Sequence, residues 1–499
     1  MMTPPDILRS SVMALVTLAI VATTGCMVGP DYHRPAVPVP QHWSEAAEAT
    51  MPAASAPSRW WTAFNDPELD SLVDRATAAN LDVASAEARI RESRANRTIA
   101  TAALYPSLDS SGSFTRSIES EHAGARSSKP TDTYQLGFDA SWELDVFGGT
   151  RRSIEAARAN VEAASFDLGD VVLTLLGDVA RNYIDLRGFQ RQLDVARKNL
   201  ASQQDTLELT RARYQGGMAS DLDVARAEAQ VETTAAGIPT LETSYKDTVH
   251  RLGVLLGEAP GALSDELAAT RPIPVAGAEL PPGLPSDLLR QRPDIRRAER
   301  QLAAATANVG VATADLYPKF SLTGSAGLES ISASDFFTGG SKLWSFGPTI
   351  TWPVFHGGQI VATIEVRNAQ EQQAFLTYRQ TILTALEDVE NAIVAYTRER
   401  SRRETLVAEV ASNQRAVELA TALYSRGLSD FLDVLDAQRN LLQAQNDLAQ
   451  SETSVSTDLV ALHKALGGGW DAVLSATTET ATVGEPIAMA QDNHEGDTQ

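Results

Sequence analysis

The chain has 499 residues, 43% of them hydrophobic and 21% charged, and a formal net charge of −22 with a pI near 4.8. Those fractions belong to a folded chain rather than a disordered one, and the length admits two or three ordinary domains. The acidic surplus argues against nucleic acid as a partner, since phosphates need Lys and Arg to neutralise them; it suits a solvated, self-repelling surface or a cation-favouring cavity.

At the N-terminus Arg9 precedes an apolar stretch, Val12 to Ala22, and the small residues Thr23, Thr24 and Gly25 follow. Charge, a short apolar centre and small residues in that order predict a secretory signal over 1–25. Cys26 is the single cysteine, so no intrachain disulfide can form. Gly25-Cys26 resembles a bacterial lipobox, in which the cysteine is acylated and becomes the mature N-terminus. Thr23 stands where such boxes usually carry Leu, and an ordinary signal peptide beside a chance cysteine is the plainer alternative. Met27 rather than Asp follows, so outer-membrane sorting is the expectation, with an acylated segment over 26–69. A covalent acyl or diacylglycerol lipid on Cys26 is the one non-protein group expected, with no metal or other cofactor. Beyond this region no apolar run reaches the length of a spanning helix, so any membrane crossing must use strands.

From residue 70 the chain repeats itself. Leu104-Tyr105-Pro106 recurs as Leu316-Tyr317-Pro318, a shift of 212, and Leu81-Asp82-Val83 is answered at the same shift by Pro293-Asp294-Ile295. Trp142 recurs as Trp352, and Tyr214, Gly217 and Leu222-Asp223-Val224 recur as Tyr424, Gly427 and Leu432-Asp433-Val434, all shifted by 210. Repeat 1 covers 70–257, an inter-repeat segment 258–290, and repeat 2 covers 291–469. The acidic tail 470–499 lacks periodicity and is expected to be flexible. Each repeat begins with an alanine-rich amphipathic helix, Asp70 to Ala103 and Pro293 to Asp315. A strand pair follows at about 105–143 and 317–354, then a long helical hairpin at about 150–257 and 358–467.

The strands alternate. Tyr134, Leu136, Phe138, Ala140 and Trp142 share one side, with Gln135, Asp139, Ser141 and Glu143 on the other; Phe320, Leu322, Trp344, Phe346 and Ile350 continue the pattern in repeat 2. Strands of about ten residues with one apolar face and aromatic ends suit a transmembrane barrel, and a soluble two-sheet domain remains open for strands this short. Hydrophilic stretches Ser117 to Thr133 and Ser330 to Ser341 are the expected outer loops. Proline is absent from Thr131 through Ile238 and from Val354 through Glu485. Val434, Leu441, Leu448, Val455 and Leu462 recur every seven residues, and Ile382, Leu386, Val389, Ile393 and Tyr396 step by four and three. These are coiled-coil seams. Pro239 to Pro285 is expected to link the repeats.

Four strands cannot close a barrel, which needs about eight, and an open edge cannot stand in lipid. Two chains would enclose a lumen filled by side chains; three give twelve strands and an open one. The expected fold is therefore mainly α with β, a two-fold internal repeat, each chain adding four transmembrane strands to a 12-strand barrel in a homotrimer.

Cys26-Met27-Val28-Gly29-Pro30-Asp31-Tyr32, Trp60-Trp61 with Phe64 and Asp66-Pro67, Trp142 to Gly148, and Arg290 to Ile295 are similar to signatures of the outer-membrane factor family of tripartite exporters. Within it the chain resembles the lipoprotein branch found with resistance–nodulation–division (RND) efflux pumps, over roughly 26–469. The resemblance implies a lipid-anchored trimeric barrel with a periplasmic tunnel formed by helical-hairpin coiled coils, whose closed tip a periplasmic adaptor engages. It implies an exit duct for small molecules such as drugs or toxic compounds, served by an inner-membrane RND pump. A type I protein secretion duct is the alternative within the same fold.

Tyr424 to Asp436 resembles the family's gate segment. Asp433 and Asp436 share a helix face, and with Asp430 they would form acidic rings at the narrowest point of a trimer. Helix-end acids stabilised by the dipole explain the same residues equally well, and it is the resemblance that favours the gate. Asp223 holds the matching place in the first hairpin. In some relatives a basic residue near the second turn latches to it; here Ser429 stands there, leaving Tyr424 and Arg426 as latch candidates. Gly217 and Gly427 permit left-handed turns, where the resemblance implies adaptor contact. An enzyme is not expected: the seven histidines are scattered, and no nucleotide loop, serine elbow or metal motif is present. A purely structural coiled coil leaves the alternating strands unexplained.

Overall fold

A computed structural model describes residues 27–44, 59–118, 120, 129–276 and 285–474. The predicted signal, Cys26 and the tail beyond 474 lie outside the described residues. Repeat 1 contains α1 (Pro67–Ala79), α2 (Leu81–Ala102), β1 (Ser107–Ser117), β2 (Thr131–Leu144), α3 (Gly149–Gln215) and α4 (Asp221–Leu255). Repeat 2 contains α5 (Pro285–Gln291), α6 (Pro293–Ala314), β3 (Lys319–Ser330), β4 (Lys342–Thr351), α7 (Gln359–Ser425) and α8 (Phe431–Ala465). The 67 residues of α3 and of α7 run roughly 100 Å at the helical rise.

The repeat extends to its breaks. The helix expected over Asp70 to Ala103 is two helices, because Asn80 leaves helical backbone and caps α2, its Oδ1 accepting from the Asp82 and Val83 N–H groups at 2.8 and 3.1 Å. Asn80 Nδ2 donates to Leu255 O at 2.9 Å. At the corresponding break Arg292 Nη1 donates to Ala465 O at 3.0 Å. The end of each 35-residue helix is thus tied to the break in its own repeat.

Two expectations need correction. Pro239 lies inside α4 rather than at the start of a linker. An interior proline removes a hydrogen bond and costs about 3 kcal/mol, but Val231 and Thr234 before it and Thr248, Val249 and Leu252 after it are buried, so packing on both sides holds the helix through. The linker begins after Leu255. The first outer loop is also shorter than expected, since Ser117 and Thr131–Thr133 belong to strands.

The chain divides into two compact units. One comprises Met1–Val37, Ala88–Ser165 and Arg296–Gln380 and carries the antiparallel sheet, in the order β1-β2-β3-β4. Register puts Phe138 beside Ala326 and Ala326 beside Trp344, Trp142 beside Leu322 and Leu322 beside Pro348, and Leu108 beside Ala140, so the apolar residues of the four strands, Leu343 apart, share one face. That face is bare: Trp344 is 80% exposed. Asp139, Ser141, Ser325, Thr323 and Ser345 line up on the other. β1 and β4 each pair on one side only within the chain.

The other unit comprises Pro38–Glu87, Phe166–Ile295 and Thr381–Gln499. Its helices bury the predicted seams: Val434, Leu441, Val455 and Leu462 of α8 and Ile382, Val389, Ile393 and Tyr396 of α7. A short 3-10 helix, Trp60–Phe64, packs Trp60 flat on His463, ring centroids 5.2 Å apart. His463 is 4% exposed, its Nδ1 has no partner among the described residues, and burial lowers its pKa from 6.5 to about 4. Between those values the unfolded chain binds the proton and the folded chain does not, so stability is complete above pH 6.5 and falls as pH drops toward 4. The full loss is on the order of 3 kcal/mol per chain. His463→Gln should flatten the pH dependence of the unfolding midpoint across that window; an unchanged slope would place the titration elsewhere.

Candidate functional site

The tip lies where the paired long helices turn. Gly217 (φ 72°) and Gly427 (φ 75°) end α3 and α7 in the same way. Met218 N–H donates to Arg213 O at 2.8 Å and Leu428 N–H to Leu423 O at 2.9 Å, a six-residue closure that needs left-handed backbone at each glycine. Behind the turns Leu207, Ala227, Val231, Tyr424, Phe431, Val434 and Leu435 form one buried cluster drawn from both hairpins. A polar ladder continues it: Gln438 Nε2 to Thr206 Oγ1 at 2.8 Å, Arg439 Nε to Gln230 Oε1 at 2.7 Å, and Asn199 Nδ2 to Gln445 Oε1 at 2.6 Å. The two hairpins are therefore held together at their ends.

Asp223 is occupied as a helix cap. Its Oδ2 accepts from the Ser220 N–H and Oγ at 3.1 and 2.7 Å, while Ser220 Oγ accepts from the Asp223 N–H, completing a capping box. Arg226 lies 4.0 Å away on the same helix face. Among the described residues no hydrogen bond or ion pair joins Asp223 to the latch candidates Tyr424 and Arg426. Another contact joins the two hairpins here. Arg213 of α3 lays its guanidinium over the Tyr424 ring at 4.4 Å and donates Nη1 to the Tyr424 carbonyl. Tyr424 is 3% exposed and its hydroxyl has no partner among the described residues. Arg426 is exposed.

In repeat 2 the acids are left free. Asp430 occupies the N-cap of α8 but makes no side-chain cap bond. Asp433 and Asp436 are exposed beside the buried Val434 and Leu435, and neither takes a hydrogen bond or ion pair from a described residue. The shift of 210 sets Asp433 against Asp223 and Asp436 against Arg226. Repeat 1 thus has an acid–base pair where repeat 2 has two carboxylates. Among the described residues no His, Cys, Asp and Glu cluster could hold a metal ion, and no helix is long and apolar enough to cross a membrane.

The model of the outer membrane efflux protein family matches residues 72–258 and 284–468, one match to each repeat. The chain belongs to the outer membrane efflux protein family. Nodulation protein T of Rhizobium leguminosarum bv. trifolii is 36% identical over 454 residues, 91% of this chain and 96% of that protein. The pyoverdine export outer membrane protein OpmQ of Pseudomonas putida is 36% identical over 439 residues, 87% and 92% of the two chains. The solved outer-membrane channel OprN superposes with a TM-score of 0.84 at 36% identity, covering 89% of this chain and all of OprN. As a member of this efflux family the chain is an outer-membrane exit channel for small molecules, and the bare apolar face of the sheet is the surface that meets lipid.

Sequence reasoning picked out Asp433, Asp436 and Tyr424 but missed Arg213. Its repeat counterpart is Leu423, so the periodicity carried no signal for it. A cationic departure from the repeat one residue before Tyr214 was the available clue.

Proposed function

We propose that Asp430, Asp433 and Asp436 form the periplasmic aperture of a homotrimeric efflux duct, and that Cys26 carries the lipid anchor. Three copies close the twelve-strand barrel, since β1 and β4 each leave an edge that lipid cannot solvate. A periplasmic adaptor docks at the Gly217 and Gly427 turns, and an inner-membrane RND pump supplies the cargo. The observation that carries the aperture is the pair of free carboxylates in repeat 2 set against the Asp223–Arg226 pair in repeat 1. Neutralised acids serve a helix end; unneutralised ones, tripled by symmetry, hold cations in a narrow passage.

An Asp436→Cys channel tests this, because the acylated Cys26 would offer no free thiol. Cadmium added on the periplasmic side of a planar bilayer should block the current through Asp436→Cys at a concentration roughly tenfold or more below any that affects the parent, because thiolates bind this soft ion more tightly than carboxylates do. Current unaffected by cadmium would put Asp436 outside the aperture.

A further inference from the structure

The mature N-terminal segment lies as a strap on the sheet-bearing unit, and two residues that break the internal repeat meet beneath it. Val28 N–H donates to Phe147 O at 3.1 Å. Arg152, its side chain 2% exposed, donates Nε to Val28 O at 3.1 Å and Nη2 to Gly29 O at 3.3 Å and to Asp31 Oδ1 at 2.7 Å, while Nη1 holds Glu155 at 2.8 Å. Gly29 (φ +87°) crosses Gly310 of α6 so closely that a Cβ on Gly29 would sit 2.4 Å from the Gly310 Cα. Farther along, Tyr32 packs on Ala159, Ala303 and Ala304, its hydroxyl donating to Glu299 at 3.2 Å.

The repeat supplies an internal control. Arg152 corresponds at the shift of 210 to Ala362, and Gly310 at the shift of 212 to Thr98; both counterparts are exposed. The arginine, with five fixed donors, and the glycine, allowing close backbone approach, stand one in each repeat at the two positions the strap crosses, and the counterpart of each in the other repeat is a different residue. The strap begins at an aromatic rim. Phe147 stacks on Tyr317 at 4.6 Å, and Trp142 and Trp352 donate their indole N–H groups to Leu104 O and Leu316 O at 2.9 and 3.1 Å. Such aromatic girdles mark the membrane–water boundary of a barrel. Met27 touches Gly148, the next residue after Phe147.

We propose that Arg152 is a positioning residue that moors the strap, fixing the lipid-bearing Cys26 at the level of the aromatic rim so that anchor and barrel enter the membrane at one depth. This rests on the reading of Cys26 as acylated. The mooring works through backbone carbonyls that only a guanidinium fork reaches together, so the ion pair to the exposed Asp31 is secondary.

The test is amide hydrogen exchange on full-length protein purified from the outer membrane, with the mass of its N-terminal peptide. In the parent the Val28 amide should be protected. Arg152→Met should speed exchange across residues 28–34 roughly tenfold to a hundredfold, the loss of a buried charged hydrogen-bond set, leaving α3 and α6 unchanged. Asp31→Asn should change little and Arg152→Lys should fall between. Unchanged strap exchange in Arg152→Met overturns the mooring, as does an Asp31→Asn effect equal to it. If Arg152→Met fails to assemble, Arg152→Lys decides by the same readout: faster strap exchange over quiet helices supports the mooring, and no change overturns it. A parent peptide lacking acyl mass overturns the anchoring role while a protected Val28 amide would still show the strap docked, so the two failures are separable.

Discussion

Arg187→Met is expected to destabilise the chain by about 3–5 kcal/mol, the usual consequence of removing one partner from a buried ion pair. The Arg187 side chain is wholly buried and that of Glu68 is 9% exposed. Nη2 donates to Glu68 Oε2 at 2.8 Å and Nη1 to Gln190 Oε1 and Ala269 O at 2.7 and 2.8 Å, and the guanidinium lies 4.8 Å from the Tyr183 ring centre. Tyr183 in turn donates to Asp66, the cap of α1, at 2.7 Å; burial and that bond push its phenol pKa upward, so it stays a donor. One arginine on α3 therefore ties down both the start of α1 and the segment following α4. Arg271, half exposed, also contacts Glu68 at 2.7 Å and would leave it partly compensated, which points to the lower end of the range. The unfolding midpoint of the purified protein measures the loss. Adding Glu68→Leu should recover part of it, because two apolar residues leave no unpaired charge. A single variant as stable as the parent would remove the network, and a double variant no better than the single would assign the loss to Ala269 O and Gln190 instead.

Much of this fold was legible because its determinants are local and occur twice. Proline-free runs and seven-residue seams specified α3, α7 and α8, and alternation specified β2, β3 and β4 together with their apolar face. The shared offset could have revealed more. Asn80 before Leu81-Asp82-Val83 stands where Arg292 precedes Pro293-Asp294-Ile295, so the break in the first helix was written in the repeat. Pro239 misled because local backbone chemistry predicts a stop, and the contacts that outweigh it come from residues distant in sequence. The site divides in the same way. Asp433 and Asp436 were visible as acids at helical spacing, but which acids are free depends on caps and partners, and only the folded chain shows Asp223 consumed by Ser220. The Arg213–Tyr424 contact spans more than two hundred residues and breaks the repeat, so no recurring motif announced it and only the departure at Arg213 pointed to it. Arg152 belongs with it: both are cations placed where the other repeat has an apolar residue, and both act between elements far apart in the chain.

Removing the aperture acids is expected to change conduction more than any other surface substitution. In planar bilayers the parent channel should be small and cation-selective, and Asp433→Ala/Asp436→Ala should lose that selectivity and conduct several-fold more. The cause is electrostatic: in the proposed aperture, symmetry would gather the carboxylates of three chains into a narrow passage, where they would attract cations and repel one another. Salt separates this from a change of shape. A charge ring acts over about 30 Å at 0.01 M salt and only about 3 Å at 1 M, so parent and variant should differ most in reversal potential at low salt and converge at high salt. A higher conductance that persists at 1 M would mean that the variant has opened the tip sterically. Asp223→Ala is the control, since its carboxylate caps α4 beside Arg226: it should lower stability by about 1 kcal/mol and leave selectivity alone. Equal reversal potentials for parent and double variant at low salt would return Asp433 and Asp436 to the role of helix-end charges. Loss of selectivity in Asp223→Ala as well would move the aperture charge onto both hairpins, and the distinction drawn from Arg226 and Asp436 would fail with it.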